Sequence, residues 1–444
     1  MGVILLKRLF GTDGIRGIVN EELTVELAMR VGNAVARLYN GKYDRLLIAM
    51  DTRNSGKMFE IAIASGAVAA GMKVESCGVI PTPSLAYLTK KEKTVGIMIS
   101  ASHNPSTYNG LKVLCEGFKI PDEEEVDLEN IILSENMEYA PYGDVEEFII
   151  NGGKDKYIEY VKSIYKNLNL NYKIAIDVGN GAAGSVIESI LNNLNLNYTV
   201  FNNEPDGFNI NQNCGSTAPD FLSDKIKKGN YDFGILFDGD ADRCLFLDSK
   251  GNLVDGDKLM AINAFKLKKQ NRLSENTVVA TIMSNLGFEE YLKEHGINLV
   301  RTGVGDKYVL QRMIDNNFTI GGEQSGHIIF MDRSTTGDGL ITALETLDTM
   351  KFFEKTIDEL ICEIPSYPQL LKNVSVKNKK DVMKDERIEK LKEKYENISG
   401  LKLVLRPSGT EHKIRVMAEG KDAEKVNSIV YEFVELIELI DKEY

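Results

Sequence analysis

Three aspartates alternate in Asp238-Gly239-Asp240-Ala241-Asp242-Arg243, directly after the apolar run 233–237. Alternate residues of an extended chain point the same way, so the three carboxylates can converge on one point. Three anions so close together are costly unless a cation joins them. An all-oxygen set suits a hard ion, and Mg²⁺ is the usual choice where phosphate chemistry is done. Gly239 and Ala241 leave room for close backbone approach. Arg243 could reach phosphoryl oxygens beside such an ion or close a plain salt bridge within the loop. The bland alternative, a solvated acidic turn, sits poorly with the buried-strand pattern that leads into it.

Two further stretches supply what a metal of this kind would act with. Residues 94–99 read as a buried strand running into Ser100-Ala101-Ser102-His103-Asn104-Pro105, with Lys112 ten residues beyond Ser102. A serine beside a histidine in a loop, with a lysine within reach, can be a nucleophile with acid/base partners. Alone, the Asn-Pro pair would mark only a turn. Near the other end, Arg406-Pro407-Ser408-Gly409-Thr410 follows a strand pattern. Two hydroxyls, a glycine amide and a guanidinium fork make a phosphate cradle, which Arg415 can assist.

These stretches, taken with others, resemble the α-D-phosphohexomutase superfamily. The matching segments are 10–17 (Phe-Gly-Thr-Asp-Gly-Ile-Arg-Gly), 99–105, 238–243, 322–327 (Gly-Glu-Gln-Ser-Gly-His) and 406–411. They stand in the family's order and span nearly the whole chain. The resemblance implies a phosphate carried on Ser102, handed to one sugar oxygen to form a bisphosphosugar, and taken back from the other end. It implies Mg²⁺ held by Asp238, Asp240, Asp242 and an oxygen on Ser102. It places Arg16 near the phosphoserine, Lys112 as general acid/base and His103 as a supporting residue. A lysine in that role would need a depressed pKa, which nearby cations could supply.

The resemblance further assigns sugar reading to Glu323, Gln324, Ser325 and His327, and substrate phosphate contacts to Arg243, Lys307, Arg406, Ser408, Gly409, Thr410 and Arg415. Gln324 and the segment Thr335-Thr336-Gly337-Asp338-Gly339 are most similar to the branch that acts on glucosamine phosphates. Glucose or mannose phosphate is the alternative. His412 stands where the family usually has proline. A hexose bisphosphate is a candidate activator. For Arg53, in Asp51-Thr52-Arg53-Asn54, the start of a helix and a contact with the site remain equally open.

The elements that must position these residues follow a degenerate repeat. Strand, helix and strand recur at 46–77, 174–201 and 277–300, each followed by another strand that runs into a motif. That is the pattern of parallel βαβ units with functional loops at the carboxyl ends of strands. The fold class expected is α/β: three related α/β domains with mixed sheets around a central cleft, plus a smaller C-terminal α+β domain, as the resemblance also implies. The expected boundaries are 1–150 (phosphoserine), 151–250 (metal), 251–365 (sugar recognition) and 366–444 (phosphate binding). Pro365 and Pro368 mark the last linker, which is expected to act as a hinge.

Composition narrows the function classes. The formal net charge of −13 argues against general nucleic-acid binding, so a sugar phosphate must be drawn in by a local basic site. No apolar run approaches the roughly 18 residues of a membrane span. The five cysteines are scattered, which fits a reducing compartment and a cytoplasmic location. The oligomeric state is not legible, a homodimer being one option.

Overall fold

A computed structural model of the chain describes residues 9–443, apart from 12, 135, 142–145, 151, 167, 230, 397 and 409–411. Gly409 and Thr410 of the expected cradle therefore lie outside the described residues. Among the described residues, three sheets repeat one topology. A central strand (Arg45–Met50, Lys173–Asp177 or Thr277–Thr281) has a parallel neighbour on each side. The second parallel neighbour (Val95–Ile99, Phe233–Phe237 or Ile320–Gly322) then pairs with an antiparallel return strand (Tyr108–Cys115, Cys244–Leu247 or Ile328–Phe330). Each of the three motifs is the turn between that last pair. It leaves the sheet at a strand's carboxyl end, where α/β folds place ligands.

The inner strands are apolar on both faces because helices cover both sides. Arg45–Met50 is buried from Leu46 onward, and Phe233–Phe237 and Thr277–Thr281 are buried throughout. The first sheet grows to eight strands by adding Gly14–Ile18 and others at its edges. The second and third sheets share one apolar core, which runs from Tyr157 to Ile364. The first sheet keeps its own. The 3-stranded antiparallel sheet Gln369–Ser375, Lys413–Gly420, Leu401–Pro407 has a separate core with the helix Ala423–Glu443.

Two segments differ from the sequence pattern. The helix of the strand–helix–strand unit 174–201, which the pattern puts near 184–193, is a 3-10 turn, Ala182–Ser185, broken at Val186 before a short helix, Ile187–Leu191. The start of this segment is wedged against the acidic loop: Ala182 N–H donates to Gly239 O at 2.8 Å, and a Cβ on Gly181 would lie 2.5 Å from the same oxygen. The boundary expected at 250 falls inside a hairpin turn, since Leu253–Val254 pairs back onto Cys244–Leu247. The linker is clasped by Asn285, whose side chain bonds both the N–H and the C=O of Tyr367 at 3.0 Å.

Candidate active site

The acidic turn 238–243 brings its three carboxylates together: ligand oxygens of Asp238, Asp240 and Asp242 all lie within 4.8 Å of one another, and all three residues are buried. Ala241 takes a left-handed φ of 55°, which folds the turn back on itself. Thr82 donates its hydroxyl to Asp240 Oδ2 at 2.6 Å and its N–H to Asp240 O at 3.0 Å. The helix Thr82–Glu92 thus aims its positive end at the acidic loop. Oδ1 of Asp240 and Oδ1 of Asp242 are buried with no hydrogen-bond partner among the described residues. Burial, then the charges of Asp242 and Asp240, push the Asp238 carboxyl well above the usual carboxylate range. Orphaned buried oxygens and a carboxylate under repulsion form an all-oxygen donor set that a hard divalent cation would complete.

Ser102 sits against this cluster. Its hydroxyl donates to Asp238 Oδ2 at 2.6 Å and lies 3.4 Å from His103 Nδ1. Its backbone is left-handed, with φ 51°, and it is 1% exposed. Burial, then Arg243 and Arg16, push the His103 imidazole down to about 4, so it is neutral at pH 7.

Lys112 is equally buried and surrounded by acid: its Nζ is 2.8 Å from Asp240, 3.1 Å from Asp13 and 3.6 Å from Asp242. Burial works to lower its pKa, but Asp13, Asp240 and Asp242 outweigh it and hold the ammonium above the ordinary lysine range. The depressed pKa expected for Lys112 is not found, because three carboxylates outnumber the neighbouring cations. Asp13 also pairs with Arg16 and Lys119, and Lys119 with Asp306. His327 lies 3.6 Å from Asp242 and 3.7 Å from Asp306. Burial opposes the charged imidazole, yet those two acids raise its pKa.

In front of these groups opens a cleft of about 290 Å³. The first sheet gives it Arg16, on the strand Gly14–Ile18, with Asp13 and His103 from its loops, and the acidic turn gives Asp242 and Arg243. Val304, Gly305, Asp306, Glu323 and His327 come from the third, and Arg406, Ser408 and Arg415 from the tail. Arg406 and Arg415 are directly opposed on neighbouring strands, so their guanidinium groups share one face. Burial, then Arg415, lowers the pKa of Arg406. Four arginines lining one cleft make an anion site that works against the net charge.

Arg243 lines this cleft and stays 3.8 Å from Asp242, too far for a firm salt bridge, so it is placed to meet an anion. Glu323 accepts from Gly305 N–H at 3.2 Å, and Ser325 Oγ has no partner among the described residues.

Three expected contacts do not line the cleft: Ser325, Gln324 and Lys307. The Gln324 amide donates to Asp255 Oδ2 at 3.2 Å, where Asp255 caps the helix Gly256–Lys269. Lys307 pairs with Asp122 at 3.2 Å and does not line the cleft. Arg53 is tucked beneath the Ser102 loop and bonds its carbonyls.

Sequence reasoning passed over Asp13, Lys119, Thr82, Asn211 and Asp306. Asp13 lies inside the motif stretch 10–17, and Asp306 stands directly before Lys307. Lys119, Thr82 and Asn211 carry no local signal, because their partners are more than 100 residues away.

Comparison with known proteins agrees along the whole chain. Four Phosphoglucomutase/phosphomannomutase family descriptions match in order: alpha/beta/alpha domain I at 7–138, domain II at 155–251, domain III at 255–367 and the C-terminal domain at 371–436. A phosphoglucosamine mutase of Thermosipho africanus is 49% identical over 98% of this chain and 99% of its own. A phosphoglucomutase/phosphomannomutase family protein of Burkholderia thailandensis has the same fold, with a TM-score of 0.82 at 22% identity over 97% of each chain. N-acetylphosphoglucosamine mutase of Aspergillus fumigatus, solved with GlcNAc-6P and magnesium, gives a TM-score of 0.70 at 17% identity, covering 97% of this chain and 95% of that one. The chain belongs to the α-D-phosphohexomutase superfamily, and within it to the phosphoglucosamine mutase family.

Proposed function

We propose that this protein interconverts glucosamine 6-phosphate and glucosamine 1-phosphate through a phosphate carried on Ser102. The observation that carries the reading is the Ser102 hydroxyl held 2.6 Å from one of three buried, converging carboxylates at the edge of an arginine-lined cleft. Asp238, Asp240 and Asp242 would hold Mg²⁺, which supplies charge neutralisation at the phosphoryl group.

The chain's own residues do the rest. Arg406 and Arg415 hold the phosphate that is not reacting, and Arg16 and Arg243 face the one that is. Glu323, on the cleft lining, takes the sugar hydroxyls. In the first half-reaction the bond between phosphorus and Ser102 Oγ breaks and a bond from phosphorus to a sugar oxygen forms. The sugar hydroxyl's proton passes to a base on the cleft wall, for which the neutral imidazole of His103 is available. Lys112, held as an ammonium, donates to the departing Oγ. The second half-reaction runs these steps backwards from the other end of the turned bisphosphosugar, so no net phosphate is consumed.

Coupled assays with the 6-phosphates of glucosamine, glucose and mannose test this. The expected result is the highest kcat/KM with glucosamine 6-phosphate, along with an added 80 Da on the Ser102 peptide. Preference for another hexose would overturn the substrate, and an unmodified, inactive serine would overturn the chemistry.

A further inference from the structure

Ser102 holds a left-handed backbone conformation that a non-glycine residue adopts only where its surroundings enforce it. Those surroundings centre on Asp51 and Arg53, which follow the central strand Arg45–Met50. Arg53 spends all five of its N–H donors on the loop and its support. Nε donates to Asp51 Oδ2 at 2.9 Å. Nη1 donates to Pro105 O at 2.5 Å and Tyr108 O at 3.0 Å. Nη2 donates to Ser102 O at 3.0 Å and Asn104 O at 2.8 Å. Only a guanidinium offers five donors in one rigid fork.

Asp51 also reaches the other end of the Ser102 peptide. Ser100 Oγ donates to Asp51 Oδ2 at 2.6 Å and accepts Ser102 N–H at 2.9 Å. Asn211, from the second sheet's loops, adds a donor to Ser102 O at 2.9 Å. Both backbone groups of Ser102 are therefore gripped from below while its hydroxyl points at Asp238. The Arg53 and Asp51 side chains have no exposure and pair with each other, so the guanidinium charge is spent locally. What it contributes to the cleft is geometry, not attraction for phosphate.

We infer that Arg53 is a positioning residue for phosphoryl transfer, locking Ser102 in the left-handed conformation that aims its oxygen at the metal-binding carboxylates in both half-reactions. This rests on the phosphoserine reading of the site. A misplacement of about 1 Å at a reacting centre costs on the order of 100-fold in rate. Arg53→Lys keeps the charge beside Asp51 but has three donors for five acceptors.

The test compares Arg53→Lys and wild type in both reaction directions, alongside the melting temperature and phosphate uptake by Ser102 from glucose 1,6-bisphosphate. The expected result is a kcat lower by about 100-fold in both directions, with KM within about threefold and little change in melting temperature. Ser100→Ala, which leaves Arg53 in place, should lower kcat alone by about tenfold. Millimolar guanidinium should partly restore Arg53→Ala. A wild-type kcat in Arg53→Lys, or a loss that appears only in KM or only alongside a lowered melting temperature, would overturn the proposal. If wild type takes no phosphate at Ser102, the functional reading falls first, and this inference with it. If wild type is phosphorylated and Arg53→Lys turns over normally, only the role of Arg53 is refuted.

Discussion

Asp238→Asn should have opposite effects on the protein without metal and on its hold on Mg²⁺. Asp238 is the carboxylate with the least help: burial and two neighbouring acids push its pKa up, and no cation pairs with it within salt-bridge distance among the described residues. At the 4.8 Å bound on the cluster, each like-charge pair costs about 3.5 kcal/mol at an effective dielectric of about 20. Lys112 and Arg243 offset part of this, so removing one charge should stabilise the protein in EDTA by about 1–3 kcal/mol.

An asparagine can keep both local contacts, accepting from Arg243 N–H and donating to the Ser102 hydroxyl. Loss of a charged oxygen ligand should weaken Mg²⁺ binding by about 2 kcal/mol, roughly 30-fold. At a Mg²⁺ concentration about 100 times the wild-type Kd, linkage stabilises wild type by about 2.7 kcal/mol and the variant by only about 0.9 kcal/mol. Denaturant unfolding with EDTA and with Mg²⁺ reads both terms. A variant less stable than wild type in EDTA, with an undiminished Mg²⁺ increment, would refute the reasoning.

Other consequences can be read the same way. Arg406→Ala should lower kcat/KM about ten- to a hundredfold with both the 1-phosphate and the 6-phosphate, since one cradle serves both orientations; impairment with only one of them would contradict a shared cradle. Gln324→Ala should change kcat/KM by less than about threefold, because its amide serves the Asp255 cap and not the cleft; steady-state kinetics would show otherwise. Burial raises Asp338 from 3.8 to about 7 despite its bonds to Ile341 N–H and Tyr157. The folded state therefore holds a proton that the unfolded chain loses, and stability falls as pH rises from about 4 to about 7, by roughly 4 kcal/mol in all. Asp338→Asn, which can still cap the helix Gly339–Phe353, should gain on wild type between pH 5 and pH 8 in urea titrations; a constant gap would refute this.

The triple βα repeat and its three loop sites were legible because each depends on short-range patterns. An apolar strand, a turn and a motif lie within about ten residues of one another, as at 94–105 and 233–243. What stayed hidden was set by distant chain. The surroundings of Lys112 come from Asp13 and from an acidic loop 128 residues on, so the sign of its pKa shift could not be read locally. Gln324 follows Glu323 in the motif, yet alternate side chains leave a tight turn in different directions, and its amide meets a helix cap. Arg53 was undecidable between helix start and site contact, and its side chain meets the site from below, through the backbone carbonyls of the Ser102 loop. The 3-10 turn that replaces the start of the helix is held at Ala182 by Gly239 O, 57 residues away, a contact that helical periodicity does not register.

The central claim is that Ser102 gives its phosphate to the sugar and takes one back. Protein labelled with ³²P at Ser102, mixed with unlabelled glucosamine 6-phosphate and Mg²⁺, tests it most directly. Within one turnover the label should leave the Ser102 peptide and appear in glucosamine phosphates, with inorganic phosphate near background, and Ser102→Ala should neither take up label nor turn over. Label that stays on the protein during turnover, or that leaves only as inorganic phosphate, would contradict the account.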